Sequence, residues 1–193
     1  HVEQKVMHET VGIQDQIQTA HGGLNFVRIS QEGEYTLRPL VLSRDRLADF
    51  QNHLLLYYTG EHRHASKIAA SQVENTAAGK VHEELSSLSG MARRGADILS
   101  GEGELAEFGL MLHEAWMLKR RLSPLISTAT VDAMYQAAID AGAIGGKLLG
   151  AGGGGFVLLF ARPDHRAAVQ SALSVYLEVP FRIEFQGAQV IYR

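Results

Sequence analysis

Eight of the twenty glycines in this 193-residue chain fall in one stretch, Gly142-Ala-Ile-Gly-Gly-Lys-Leu-Leu-Gly-Ala-Gly-Gly-Gly-Gly155. Backbone this bare takes positive φ without steric cost and lets its N–H groups approach an anion or a second loop closely. On the N-terminal side, Val131 to Ala141 reads as a helix that Gly142 closes; on the C-terminal side, Phe156 to Phe160 reads as a buried strand. The order helix, loop, strand is the reverse of a Walker A loop, and Gly146-Lys147 is followed by Leu148 instead of Ser or Thr. A dinucleotide fingerprint also needs its strand first. Two readings are left, a flexible turn or a loop built for close approach. Four successive glycines entering a strand cost chain entropy that a plain turn need not incur.

Residues 3 to 21 are mostly helix formers, interrupted at Gly12. After Gly22-Gly23, the segments Leu24 to Ser30 and Tyr35 to Leu42 alternate as strands do. Ser43 caps a short helix over Arg44 to His53, and Leu54 to Tyr58 is a compact apolar strand ended by Thr59-Gly60. Three helical stretches come next. The clearest, Glu104 to Arg121, places Leu105, Phe108, Leu112 and Trp116 on one face, with Lys119, Arg120 and Arg121 complementing the dipole in its last turn. Beyond the glycine-rich stretch, Pro163 to Leu177 reads as a helix and Phe181 to Phe185 as a final alternating strand. This order predicts an α+β sandwich with helices on one sheet face.

With 46% apolar and 20% charged residues, the composition is that of a folded domain. A net charge of −3 gives no global basic field for nucleic acid or an anionic membrane, so any phosphate site is local. The absence of cysteine excludes disulfide scaffolds, iron–sulfur clusters, thiolate zinc sites and Cys nucleophiles. No targeting segment is visible at His1, and the longest apolar runs, such as Phe156 to Ala161, are too short to cross a bilayer; a soluble, cytoplasmic protein is expected.

Asp15, in Gly12-Ile13-Gln14-Asp15-Gln16, reads either as a cap or solvated charge, or as a carboxylate that accepts a hydroxyl proton or orients a nucleophile. Glu3 reads as a solvated charge or a metal ligand. The histidines form no HExxH, since His82-Glu83 and His113-Glu114 meet Ser86 and Met117 where the second His would stand. His62 and His64 read as a polar loop in preference to metal ligands. Arg63 and Lys67, one helical turn apart, suit a solvated helix start or a phosphate.

Taken together, these segments resemble a known family. Gly12-Ile13-Gln14-Asp15-Gln16 with Gly22-Gly23-Leu24-Asn25 resembles the catalytic-aspartate motif of the GHMP small-molecule kinases, and Gly145 to Phe156 resembles their third, glycine-rich motif. Tyr58-Thr59-Gly60-Glu61-His62-Arg63-His64-Ala65, Leu112 to Arg120 and Val179-Pro180-Phe181-Arg182-Ile183-Glu184-Phe185 are similar to the D-glycero-D-manno-heptose 7-phosphate kinases and to fucokinase-like relatives.

The resemblance implies transfer of the ATP γ-phosphoryl group, with Mg2+, to a sugar hydroxyl, here the anomeric C1 hydroxyl of D-glycero-D-manno-heptose 7-phosphate. Asp15 matches the family's catalytic Asp, and Glu3 falls where galactokinase-like members carry a magnesium ligand. Gly150, Gly152, Gly153 and Gly154 match the motif that supports the nucleotide phosphates. Gly23, Asn25, Arg63, Lys67 and Lys119 are the candidate substrate contacts. The implied fold is the end of an N-terminal, ribosomal-S5-like domain over residues 1–42, followed by a ferredoxin-like C-terminal domain over 43–193. The family's N-terminal basic motif and its Gly-Ser-Ser phosphate loop do not occur in the sequence. The chain alone is therefore expected to bind ATP poorly, with its own N-terminal half or a second copy as partner. A kinase of an unphosphorylated sugar and a non-catalytic binding or dimerisation module on the same fold are the alternatives.

Overall fold

The computed structural model describes residues 6–8, 11–61 and 65–191. It opens with helix α1 (Gln14–His21) and the strands β1 (Asn25–Ile29) and β2 (Tyr35–Pro39), which form an antiparallel hairpin. Helix α2 (Arg44–His53), strand β3 (Leu54–Tyr58) and helices α3 (Ala65–Ala77), α4 (His82–Ser100), α5 (Ala106–Arg121) and α6 (Ala129–Asp140) follow. Strands β4 (Ala143–Leu148) and β5 (Phe156–Ala161), a 3-10 turn at Pro163–His165, helix α7 (Arg166–Ala172) and the short strand β6 (Leu177–Glu178) complete the order.

The main sheet runs β4-β5-β3-β6 with every neighbouring pair antiparallel. Counted from β3 in chain order and read from the β6 edge, this is strand order 4-1-3-2, the ferredoxin-like arrangement. The central strands explain their own composition. Leu55, Tyr57, Val157 and Leu159 join a core cluster with Trp116 and Met134, whereas Leu54 and Phe160 join a second with Phe50, Leu99 and Leu112. Both faces of β3 and β5 are thus buried, which is why Leu54 to Tyr58 is an unbroken apolar run. The expectation of helices on one face is corrected accordingly: α2, α4 and α5 contribute to cover for the second face.

Three further expectations shift. The loop expected from Gly145 starts only after Leu148, because residues 143–148 form the edge strand β4. Helix 163–177 ends at Ala172. Phe181 to Phe185 alternates as expected, with Phe181 and Ile183 against the second cluster, yet it is not in the sheet. Its backbone instead braces the end of α1: Gly23 N–H donates to Glu184 O at 2.7 Å, and Ala188 N–H to Thr19 O at 3.1 Å.

Ser43 caps α2 as its sequence position implies, its Oγ accepting from Arg46 N–H at 3.1 Å. Leu24 and Leu40, at either end of the hairpin, pack against the second cluster and share a core with the residues that follow position 43. Among the described residues no helix is long and apolar enough to cross a membrane.

Candidate functional site

Two glycines bring α5 onto β4. A Cβ at Gly145 would fall on the Gly109 carbonyl oxygen, so helix and strand touch backbone to backbone at this point. Ten residues further along α5, roughly 15 Å at helical rise, Lys119 reaches the C-terminal end of β4. Its Nζ donates to Gly150 O at 2.6 Å and to Leu148 O at 3.4 Å. Lys147 stands two residues beyond Gly145, and strand pleating puts its side chain on the same, α5-facing side of β4.

The glycine-rich loop is tied down at several points. Leu149 N–H donates to Phe156 O at 2.8 Å, Gly153 N–H to Ile126 O at 2.8 Å, and Gly155 N–H to Glu61 O at 3.0 Å. The Glu61 carboxylate is itself fixed by the hydroxyls of Thr128 (2.6 Å) and Thr130 (2.8 Å) at the start of α6. At Gly154 φ is +136° and a Cβ would lie 2.6 Å from Glu61 O, so neither backbone conformation nor space admits a side chain. From α3, Gln72 Nε2 donates to Ala151 O at 2.8 Å. Among the described residues no acceptor meets the N–H groups of Gly150, Ala151, Gly152 or Gly154.

These elements enclose a cavity of about 560 Å3 lined by Asp15, Gln72, Lys119, Lys147, Gly150 and Ala151, with apolar side chains of α4 and α5 as its far wall. Asp15 enters from the first turn of α1 and is exposed. Burial, with the Lys147 charge acting in the same direction and Asp15 offsetting part of the shift, brings the Lys119 ammonium down to about 8. Burial also lowers the pKa of Lys147. The cavity therefore holds two desolvated cations, one carboxylate and free backbone donors. Such a set can receive an anion at one end and hold a hydroxyl at the other.

Of the residues expected from sequence, the structure brings Asp15, Lys119 and Gly150 together. Gly152 and Gly154 belong to the same loop, whereas the Gly153 amide is turned into the protein. Gly23 and Asn25 sit at the opposite end of α1 and do not line the cavity; Asn25 Nδ2 donates to Gly22 O at 2.7 Å and to Gln18 Oε1 at 3.2 Å. Lys67 is exposed on α3, away from the cavity lining. Glu3, His62, Arg63 and His64 lie outside the described residues. The basic run at the end of α5 diverges. Lys119 turns to the cavity, Arg120 to Asp132 at 3.0 Å and Arg121 to Glu84 at 3.5 Å. Lys147 and Gln72 are the lining residues that the sequence reading missed. The available signal for Lys147 was a lone cation inside an otherwise uncharged segment that leads into a buried strand.

Residues 96–178 match the family described as GHMP kinases C terminal. The chain is 30% identical over 167 residues to the D-glycero-alpha-D-manno-heptose 7-phosphate kinase of Campylobacter jejuni, which covers 84% of this chain and 48% of that one. It is 29% identical over 160 residues to the bifunctional fucokinase/GDP-fucose pyrophosphorylase of Arabidopsis thaliana, covering 81% of this chain and 15% of that one. In structure it is similar to a D-glycero-D-manno-heptose 1-phosphate kinase from Bacteroides thetaiotaomicron, with a TM-score of 0.61 and 24% identity over 100% of this chain and 53% of that one. The chain thus spans about half the length of the heptose kinase it matches, and less of the fucokinase.

Proposed function

We propose that this chain, which carries a GHMP kinase C-terminal domain, supplies the acceptor side of an ATP-dependent sugar kinase. The observation that carries the reading is the single cavity shared by Asp15, Lys119, Lys147 and the Gly150 end of the glycine-rich loop. A sugar hydroxyl placed beside Asp15 has a carboxylate to take its proton or hold its lone pair in line. Phosphoryl transfer passes through a loose transition state, so positioning and charge stabilisation supply most of the catalysis. Lys119, Lys147 and the unpaired loop amides provide that stabilisation.

For Mg2+ and ATP the described lining offers one carboxylate, Asp15, and the cations Lys119 and Lys147. Asp15 offers hard carboxylate oxygens, and Mg2+ commonly takes one or two carboxylates with the rest of its shell from phosphates and water. Glu3 is the candidate second carboxylate. Bound magnesium nucleotide supplies the electrophilic phosphorus; the chain's own residues orient the acceptor, manage its proton and exclude bulk water with the apolar wall. Residues up to position 42 are read as the end of an N-terminal domain whose remaining part holds the nucleotide phosphates.

The acceptor proposed is the C1 hydroxyl of D-glycero-D-manno-heptose 7-phosphate, giving the 1,7-bisphosphate. The heptose kinase similarity and the cationic cavity support it. The fucokinase similarity favours a second reading, a kinase of an unphosphorylated sugar. ADP release by a longer protein, carrying this sequence together with a phosphate loop, separates the two when heptose 7-phosphate, fucose and galactose are compared. Preference for the heptose phosphate is the expected result. Strong preference for fucose or galactose ends the heptose assignment, and no release with any sugar favours a non-catalytic module.

A further inference from the structure

The C-terminal arm of the glycine-rich loop, residues 152–155, runs between two jaws. One is the segment after β3: Gly155 N–H is shared between Glu61 O at 3.0 Å and Thr59 Oγ1 at 3.0 Å, and Thr59 N–H donates back to Gly155 O at 2.9 Å. The other is the approach to α6, where Ile126 O accepts from Gly153 N–H at 2.8 Å. The fit leaves no room for side chains, since a Cβ at Gly152 would lie 2.8 Å from Ile126 Cα and one at Gly154 2.6 Å from Glu61 O. The Glu61 carboxylate ties the jaws together: one oxygen accepts from Thr128 Oγ1 at 2.6 Å and the other from Thr130 Oγ1 at 2.8 Å. Capping of α6 does not account for this tie. Thr128 Oγ1 already caps the helix by accepting from Val131 N–H at 3.2 Å, and it is the hydroxyl proton that turns to Glu61.

We propose that Glu61 is a positioning residue for phosphoryl transfer: its carboxylate holds the jaws closed on the loop's C-terminal arm and so fixes where the loop presents Gly150 and Ala151 to the cavity. Consecutive glycines have the widest conformational freedom of any residues, so the arm keeps one shape only while contacts outside it impose that shape. A carboxylate at a helix N-terminus, accepting two charge-assisted bonds, is suited to the task. Glu61 does not itself line the Asp15 cavity and acts through the loop. The inference rests on the kinase reading of that cavity, where a displacement of about 1 Å costs about 10²-fold in rate.

The test has two readouts. Amide hydrogen exchange on the 193-residue chain, which needs no ligand, should show Gly153 and Gly155 exchanging about tenfold or more faster in Glu61→Met, with the amides of β5 unchanged. In the longer protein the same variant should lose about tenfold to a hundredfold in kcat, with KM for the sugar within about twofold of wild type. Glu61→Gln, which keeps an acceptor for Thr128 while Thr130 turns its hydroxyl to accept, should recover most of both. Thr130→Val should slow turnover when Glu61 is present and add nothing in Glu61→Met. Unchanged exchange in Glu61→Met overturns the proposal, because the carboxylate then does not hold the loop. Faster exchange with unchanged kcat also overturns it, since the tie is then structural only. If Glu61→Met loses protection throughout the chain, Thr130→Val, which deletes a single hydroxyl, decides by the same two readouts. No ADP release by the unsubstituted longer protein with any sugar removes the kinase reading and the catalytic consequence with it, while exchange alone still decides whether Glu61 holds the loop.

Discussion

Lys119 sets the pH behaviour of the cavity. Its folded pKa of about 8 lies below the ordinary lysine value of 10.5, so between the two the unfolded chain holds more protons than the folded one. Stability should accordingly rise with pH from about 8 to about 10. Above that the sign reverses, because burial raises Tyr57 to about 12 and also raises Tyr135, whose contribution is lost as their unfolded counterparts ionise. Melting temperatures measured from pH 7 to 10 check this: the rise should become shallower in Lys119→Met, the remainder coming from Lys147, whose pKa burial also lowers, and an equal slope in the variant would show that Lys119 is not responsible. Asp15 and Lys119 were legible in the sequence because each lies in a motif with an evident helix position. Lys147 was not, since a lysine among glycines looks like loop, and only the pairing of β4 with β5 turns it under α5. Gly23 and Asn25 were read as substrate contacts for their place in the same motif. Gly23 N–H is engaged by Glu184 O of the C-terminal segment, and Asn25 Nδ2 by Gly22 O and Gln18 Oε1 at the end of α1.

The contact between α5 and β4 is the element that delivers Lys119 to the loop. Gly145→Ala places a methyl against the backbone of Gly109, which cannot rotate away, and overpacking of this kind costs about 1–3 kcal/mol. Gly90→Ala is the contrast. It lies exposed within α4 with nothing near its would-be Cβ, and removing a helical glycine should stabilise by about 0.5–1 kcal/mol. Thermal denaturation should therefore move in opposite directions for the two; a neutral Gly145→Ala would mean that the helix does not ride on the strand. Helix α5 was readable from its apolar spacing and α2 from Ser43, because both signals are local. Strand β4 was hidden, because a strand whose side chains are removed to admit a helix shows no alternation. Phe181 to Phe185 shows the converse: the alternation is real, but it records packing on the second cluster and not membership of the sheet.

Across the whole molecule, the cavity is assembled from parts far apart in the chain: α1 before the hairpin, α3 to α5 in the middle, and β4 with its loop near the end. Strand order 4-1-3-2 brings β4 to an edge, where its C-terminal end and the following loop are open to α1 and α3. The fold class was legible from the order of elements; the convergence on one cavity was not, because it depends on sheet order. Since the chain spans about half the length of the heptose kinase it resembles, the 193 residues alone should release ADP negligibly from ATP and sugar. Robust turnover by the isolated chain would contradict the proposed division of labour. The central claim is that Asp15 acts on the acceptor hydroxyl, and the most direct measurement is kcat for Asp15→Asn in the longer protein with heptose 7-phosphate. Asp15 is exposed and asparagine matches its shape, so folding should be unaffected. The account predicts a fall in kcat of about 10²–10⁴ with KM for ATP nearly unchanged; an unchanged kcat would contradict it.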